Sequence, residues 1–467
     1  MRSLLPILFA ALVALARGAA AQAPLDTLRL TLDQAVQRAL DQGVDMRVAH
    51  ANVMQANGQV REAMSSALPQ ITGTVTYTRQ FASIYQGLGG SGGGFDTLFR
   101  NTPFGAANAW NFQLQATQLI WSGGKVGAAY GAAKAYREVA NLQASETAAD
   151  ITFQVKQAYW NAALGARLIG IAVDNLEQAR QHLHEVQLYR EAGTRAEYDL
   201  LRAQVDAANQ EPPVVAAQNG YDIALLELRR LIDVPADQPL VLTTKVVSPE
   251  ATIPVLASDS LGGPVRAGVA AADAAVVEQE HLVSVARADR WPTLSVSTIY
   301  NEQGFPTQAL PWDANYLQGW NAEVKLSIPI FLGLRTSGTI QQAKASLMRA
   351  QAERDRVRRQ VDIEVAQARA EVARAQALLA ARRVTVRQAQ RAQYLVGVRY
   401  TNGMSTQLDV SDARVAAAQA EVNEVQAFRD YVVALAQLER ALGRPVPMVE
   451  RPIEDISPVT NGKGTQP

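Results

Sequence analysis

Four short stretches of the chain alternate apolar and polar residues with a period of two. In "LSVSTIY" (294–300), Leu294, Val296, Thr298 and Tyr300 share one face. In "NAEVKLSIPIF" (321–331), Ala322, Val324, Leu326, Ile328 and Ile330 oppose Asn321, Glu323, Lys325 and Ser327. "ITGTVTY" (71–77) and "WNFQLQATQLIW" (110–121) alternate likewise, with Trp110, Phe112, Leu114 and Ala116 standing against Asn111, Gln113, Gln115 and Thr117. This periodicity predicts strands with one polar face. About ten residues is also the length that crosses a bilayer obliquely. Trp110, Trp121, Trp291, Tyr300 and Phe331 gather at the strand ends, as the aromatic girdles of a membrane barrel do. A half-buried soluble sheet would write the same pattern, so the strands alone do not decide.

The helical signal is longer. Residues from about 125 to 192 and from about 335 to 402 contain no proline and are rich in alanine, glutamine, arginine and glutamate. At about 1.5 Å per residue each run extends roughly 100 Å, far beyond the mean helix of about 11–12 residues. Alanine at the seams and branched residues such as Val361, Ile363 and Val365 among charges give a coiled-coil-like composition. Shorter helices are predicted over about 31–66 and about 264–289, the first opened by a capping box of Thr31 and Gln34.

The elements repeat. "YREAGTRAEYDLLRAQ" (189–204) overlays "RYTNGMSTQLDVSDAR" (399–414) at an offset of 210, placing Gly193 on Gly403 and Asp199 on Asp409. That offset holds without a gap from Asn111/Asn321 to Pro235/Pro445, whereas Pro69 and Pro292 lie 223 apart, so the first half carries 13 extra residues between Pro69 and Asn111. The interval contains "GLGGSGGGFD", read as an exposed loop tip around 88–94 rather than a cofactor-cradling loop, since no strand-then-helix spacing accompanies it. Gly193 and Gly403 each end a long helix at a hairpin tip, where glycine supplies the left-handed conformation. Thr194 with Glu197 is expected to cap the first outgoing helix, and Ser405 or Thr406 the second. Pro212–Pro213 should break the first outgoing helix, while Val422–Asn423 lets its counterpart run on.

Charge and chemistry narrow the classes. Lysine plus arginine equals aspartate plus glutamate at 44 each, and there is no cysteine. Nothing clusters to hold a nucleic acid, and disulfides, thiolate chemistry and cysteine metal ligands are excluded. "MRSLLPILFAALVALARGAAAQA" reads as a signal peptide cut after Ala21, with no cysteine for a lipid anchor. No later run of about 18 apolar residues predicts a transmembrane helix. His182 and His184 in "HLHE" stand two apart and do not share a helix face, so no metal site is assigned. With four histidines in all and no nucleophile–base constellation, neither an enzyme nor a cofactor site is expected.

Two copies of helix, strand, loop, strand, long helix, hairpin and helix behind an export signal resemble the TolC-like outer membrane efflux channel family over about 25–447. The resemblance implies a mainly α fold with a small β part: a long coiled-coil barrel continuous with an antiparallel transmembrane β-barrel, four strands per subunit and twelve in a homotrimer. It implies outer-membrane lipid around the strands, in a Gram-negative-type bacterium, and helices extending into the periplasm. The implied activity is that of an exit duct in tripartite efflux or type I secretion, opened at the hairpin tips by a periplasmic adaptor (membrane fusion) protein and an inner-membrane pump. Residue by residue, Asp409 and Asp412 match paired pore-facing acids, Asp199 the acid on the first hairpin, and Tyr400 a tyrosine that holds the closed state. Gly193, Thr194, Gly403 and Ser405 fall at the docking tips. The family places a gate arginine where this chain has Ser405, and Arg195 stands at the equivalent place on the other hairpin.

The expected organisation is a signal peptide (1–21), a first repeat with an equatorial segment (22–262), a second repeat (263–447) and a tail (448–467). The alternative is a periplasmic coiled-coil adaptor, which calls for a single helical hairpin and a β-rich lipoyl-like domain.

Overall fold

The computed structural model describes residues 27–81, 106–194, 196–243, 253–256, 265–306, 308–446 and 448–451. The expected signal peptide, the glycine-rich segment at 88–94, Arg195 and most of the tail lie outside the described residues. The described chain forms two compact units, one built from residues within 1–48, 146–266 and 361–467, the other from residues within 49–145 and 267–360. Each unit draws on both sequence repeats.

The second unit contains one antiparallel sheet, ordered β2 (Gln70–Arg79), β3 (Asn108–Trp121), β6 (Thr293–Gly304), β7 (Tyr316–Ser327). Its register carries the alternation across all four strands: Val75 pairs with Phe112, Leu114 with Tyr300, and Val296 with Val324. β7 stops earlier than expected, leaving Ile328, Ile330 and Phe331 outside the strand. Pro329 explains this, because it has no N–H to give a ladder. Its counterpart Leu119 lets β3 continue, through an irregularity at Ile120, to Trp121. Strand and helix meet at Gly123 and Gly333, both at positive φ (61° and 58°). A Cβ at Gly123 would lie 2.4 Å from Cβ of Trp291, so only glycine fits there.

The first unit holds α1 (Leu32–Gln42), most of α3 (Lys125–Glu191), α4 (Glu197–Asn209), α5 (Glu211–Leu231), most of α7 (Arg335–Thr401) and α8 (Gln407–Leu442). Two two-stranded pairs accompany them, β1 (Leu28–Leu30) with β4 (Leu240–Leu242) and β5 (Ile253–Leu256) with β8 (Met448–Arg451). Both α3 and α7 run 67 residues, as the proline-free runs require. The capping box of Thr31 and Gln34 is present. The helix expected over 31–66 is instead two, α1 and α2 (Val44–Ser65), because Gly43 leaves the helical region at ψ 142° while its N–H still donates to the Ala39 carbonyl. The break at Pro212–Pro213 occurs: α4 ends at Asn209, and both prolines sit in the first turn of α5, where a missing N–H costs nothing. α8 runs unbroken for 36 residues.

The core of this unit joins α7 to α8 through Val372, Ala375, Leu379, Tyr431, Leu435 and Leu438, all at most 2 % exposed. Trp160 of α3 packs edge-on against Phe428, ring centroids 5.8 Å apart. Where α3, α7 and α8 approach the segment before α6 (Ala267–Ala288), buried Arg266 donates to Glu146 and, at 2.6 Å, to Glu364; Arg440 reaches Asp150 and Glu364.

Candidate functional site

Two regions carry the chemistry expected of the sequence: the hairpin tips and the sheet faces. At the first tip Gly193 takes φ +73°. Its N–H donates to the Arg190 carbonyl and that of Thr194 to the Tyr189 carbonyl, closing α3 as a Schellman turn. Gly403 repeats this at φ +74°, with bonds from Gly403 to Tyr400 and from Met404 to Arg399. A Cβ at either glycine would meet nothing within 4 Å, so glycine is required for its backbone and not for space. Gly403→Val should therefore cost about 1–2 kcal/mol of local strain. Hydrogen exchange should show it confined to the tip; exchange unchanged at the tip would contradict the assignment.

The outgoing helices differ. Thr406 caps α8 in a full capping box: its hydroxyl accepts from the Asp409 N–H, and its own N–H and hydroxyl donate to the Asp409 carboxylate at 2.8 and 2.9 Å. The capping expected of Thr194 does not occur, for its hydroxyl donates back to the Tyr189 carbonyl at 2.8 Å. The N-cap of α4 is Ala196, with no side-chain bond. At the 210 offset Ala196 underlies Thr406, so the first repeat has lost its capping hydroxyl. Asp199 and Asp409, equivalent in sequence, thus stand in different states. Asp409 is tied to its cap, and the Thr406 backbone N–H, with its hydroxyl, holds the carboxyl below the usual carboxylate range. Asp199 sits half-buried in the first turn of a helix capped by alanine. Asp412 is exposed one turn beyond Asp409, on the same side of α8, and Ser405 is half-buried at the tip.

Tyr400 is buried, 3 % exposed. Its ring stands edge-to-face with His182 of α3, centroids 5.5 Å apart. His182 Nε2 lies 2.5 Å from Gln407 Oε1 on α8. Further along α8, Arg414 and Ser411 both donate to Asp206 of α4, at 2.6 and 3.0 Å. These contacts join the two hairpins, and the sequence reading missed them. The Asp206–Arg414 pair left a signal: at the 210 offset their counterparts are Ala416 and Gln204, so opposite charges occur once each at non-equivalent positions.

On the sheet, one face presents Ile71, Val75, Leu114, Val296, Trp320 and Val324, exposed to solvent in the single chain. The other presents Thr72, Thr74, Gln113, Gln115, Ser297 and Glu323. Aromatics mark both ends of the strands: Tyr77, Trp110 and Tyr316 at one, Trp121 against Trp291 at the other. Along β3, Trp110 to Trp121 covers roughly 36 Å of strand; tilted, that matches an apolar band of about 25 Å. β2 and β7 are the edges of the sheet, with no strand beside them among the described residues.

A family model described as outer membrane efflux protein matches residues 35–233 and 265–444. The chain belongs to the outer membrane efflux protein family. The outer membrane efflux protein BepC of Brucella suis is 24% identical over 420 residues, covering 89% of this chain and 85% of BepC. Protein CyaE of Bordetella pertussis is 25% identical over 342 residues, covering 72% of this chain and 68% of CyaE. Among solved structures, the CmeC outer membrane channel of Campylobacter jejuni superposes with a TM-score of 0.70 at 17% identity, covering 88% of this chain and 85% of CmeC. The fold is that of the TolC-like channels, and the protein is one of the outer membrane.

Proposed function

We propose that three copies of this outer membrane efflux protein form a passive exit duct, closed at the periplasmic hairpin tips and opened there by a periplasmic adaptor and an inner-membrane pump. The observation that carries the proposal is the sheet. It has one apolar exposed face, one polar face and, among the described residues, two open edges. An open edge is untenable in lipid, because unpaired backbone groups have no water to bond. Edge-to-edge closure of three sheets gives twelve strands, an apolar exterior and a lumen of threonine, glutamine, serine and asparagine. The adaptor alternative needs one hairpin and a lipoyl-like domain; two hairpins and a four-stranded sheet support the duct.

In this reading Asp409, Asp412 and Asp199 become rings of acid at the aperture, and Tyr400 packs the closed arrangement. Trimeric carboxylate rings favour cations. Single-channel recording should show a cation-selective pore blocked by polyvalent cations from the periplasmic side. Asp409→Asn with Asp412→Asn should abolish that block and leave the trimer intact. The Thr406 N–H and hydroxyl hold the Asp409 carboxyl below the usual carboxylate range, so Thr406→Ala, which removes the cap hydroxyl, should make cation selectivity fade at a higher pH than in the wild type. Wild-type selectivity in the double variant would place the gate elsewhere.

A further inference from the structure

The two hairpins are built alike up to their tips and differ beyond them. α8 leaves the second tip as one helix of 36 residues, opened by a full capping box and with buried residues from Gln407 to Ala441. α4 starts on an alanine N-cap and ends after 13 residues. Gln210 follows, and Pro212 and Pro213 stand in the first turn of α5. Two consecutive ladder N–H groups are therefore missing where α4 meets α5, and a helix bends where its ladder is interrupted. At the 210 offset Val422 and Asn423 occupy these places inside α8, which has no such joint.

Beyond the break α5 is anchored. Leu225, Leu228 and Leu231 are buried, and Glu211 accepts from Arg180 of α3 at 2.9 Å. α4 is held far less. Its buried residues are Ala203 and Ala207, while Tyr198, Leu201 and Val205 are exposed. A helix of this length is marginal by itself in water, and two alanines bury little apolar surface. Arg190–Glu197, at 3.4 Å, is a surface pair and contributes little. The firm tie is Asp206, one turn before the break. Its Oδ2 accepts from Arg414 Nη2 at 2.6 Å and from Ser411 Oγ at 3.0 Å, both on α8. The Asp206 and Arg414 side chains are 19% and 6% exposed, so these charge-assisted bonds are shielded from water. Beside the break lies a cleft of about 500 Å³, lined by Ile171, Pro213, Ala217, Val415, Val422 and Arg414 itself. Turning α4 at Gln210 breaks two bonds without prising apart a packed core.

We propose that α4 is the moving part of the gate, a hinged segment that pivots at Gln210 and is latched to α8 by the bonds of Asp206 to Arg414 and Ser411. The proposal rests on the reading of the tips as the gate. Segments that move are those of low local stability, and here that is the first hairpin's outgoing helix. Asp199 and the Gly193 turn travel with α4, while α8 keeps Asp409 and Asp412 in place. The latch also accounts for a tip that has Ser405 where the family has an arginine, because the tie between the hairpins lies further along α8, at Arg414.

Hydrogen exchange and single-channel recording on the full-length protein test the hinge together. Asp206→Ala removes both bonds yet supplies a better helix former, so faster exchange could not come from a weakened helix. The amides of α4 should exchange about tenfold faster or more, as loss of a hydrogen bond between charged groups implies. Those of α8 should keep wild-type rates, and resting conductance should rise. Pro212→Ala with Pro213→Ala restores the missing donors and joins α4 to α5 without touching a buried charge, so it stays informative if Asp206→Ala folds poorly. It should slow exchange at the break, lower resting conductance and blunt the effect of Asp206→Ala when the three changes are combined. Faster exchange in α8 instead of α4, or an Asp206→Ala conductance equal to that of the wild type, overturns the hinge. So does a proline variant that matches the wild type in both measurements. The two readings fail separately: a wild-type protein that forms no channel strikes at the duct, whereas the exchange pattern decides by itself whether α4 swings.

Discussion

Arg266→Met should destabilise the protein by about 3–5 kcal/mol, the cost of breaking a buried ion pair by removing one partner. The Arg266 side chain is 7% exposed and bonds to Glu146 and Glu364, themselves 21% and 28% exposed. Burial alone would depress its pKa, but the hydrogen bonds it donates to the two glutamates, with their charge, more than offset this, and the guanidinium is held above its ordinary value. Methionine fills similar volume yet leaves two carboxylates facing each other, with Arg440 alone to share between Glu364 and Asp150. Urea unfolding followed by helicity reads the loss. Arg358→Met is the comparison, since Arg358 pairs with Asp273 at 50% and 40% exposure, and surface pairs contribute about 0–1 kcal/mol. Equal midpoint shifts in the two variants would mean the Arg266 network contributes nothing beyond a surface pair.

The largest effect on the duct should come from Tyr400→Ala, with resting conductance rising on the order of tenfold or more. Truncating a buried aromatic costs about 3–5 kcal/mol, and part of that cost falls only on the joined hairpins, where the ring packs on His182. Tyr400→Phe keeps the ring and removes only the hydroxyl, so its conductance should lie between the two. If Tyr400→Phe opens the channel as fully as alanine, the hydroxyl and not the packing holds closure. If neither does, Tyr400 is core and not gate.

The sequence made the repeated parts of the fold legible, because local chemistry dictates them. Gly193 and Gly403 take the same positive φ since each ends a helix over the same turn. The four alternating stretches form one sheet in which the apolar positions share a face, since a period of two allows no other sorting. Where the repeats diverge, single residues account for it: Pro329 against Leu119 sets the length of a strand, and Ala196 against Thr406 decides whether a helix start is capped. Gly43 divides the first helix although the sequence around it reads as helical on both sides. The His182–Gln407 and Asp206–Arg414 contacts were not legible. They depend on the register of one hairpin against the other, and no periodicity within a segment encodes that.

In the proposed duct the sheet is completed by two further copies of the chain. The mass of the detergent-extracted protein, measured by light scattering with the detergent contribution subtracted, tests it most directly. Three chains per particle are expected, with no release from the membrane without detergent. A single chain, soluble without detergent, would contradict it.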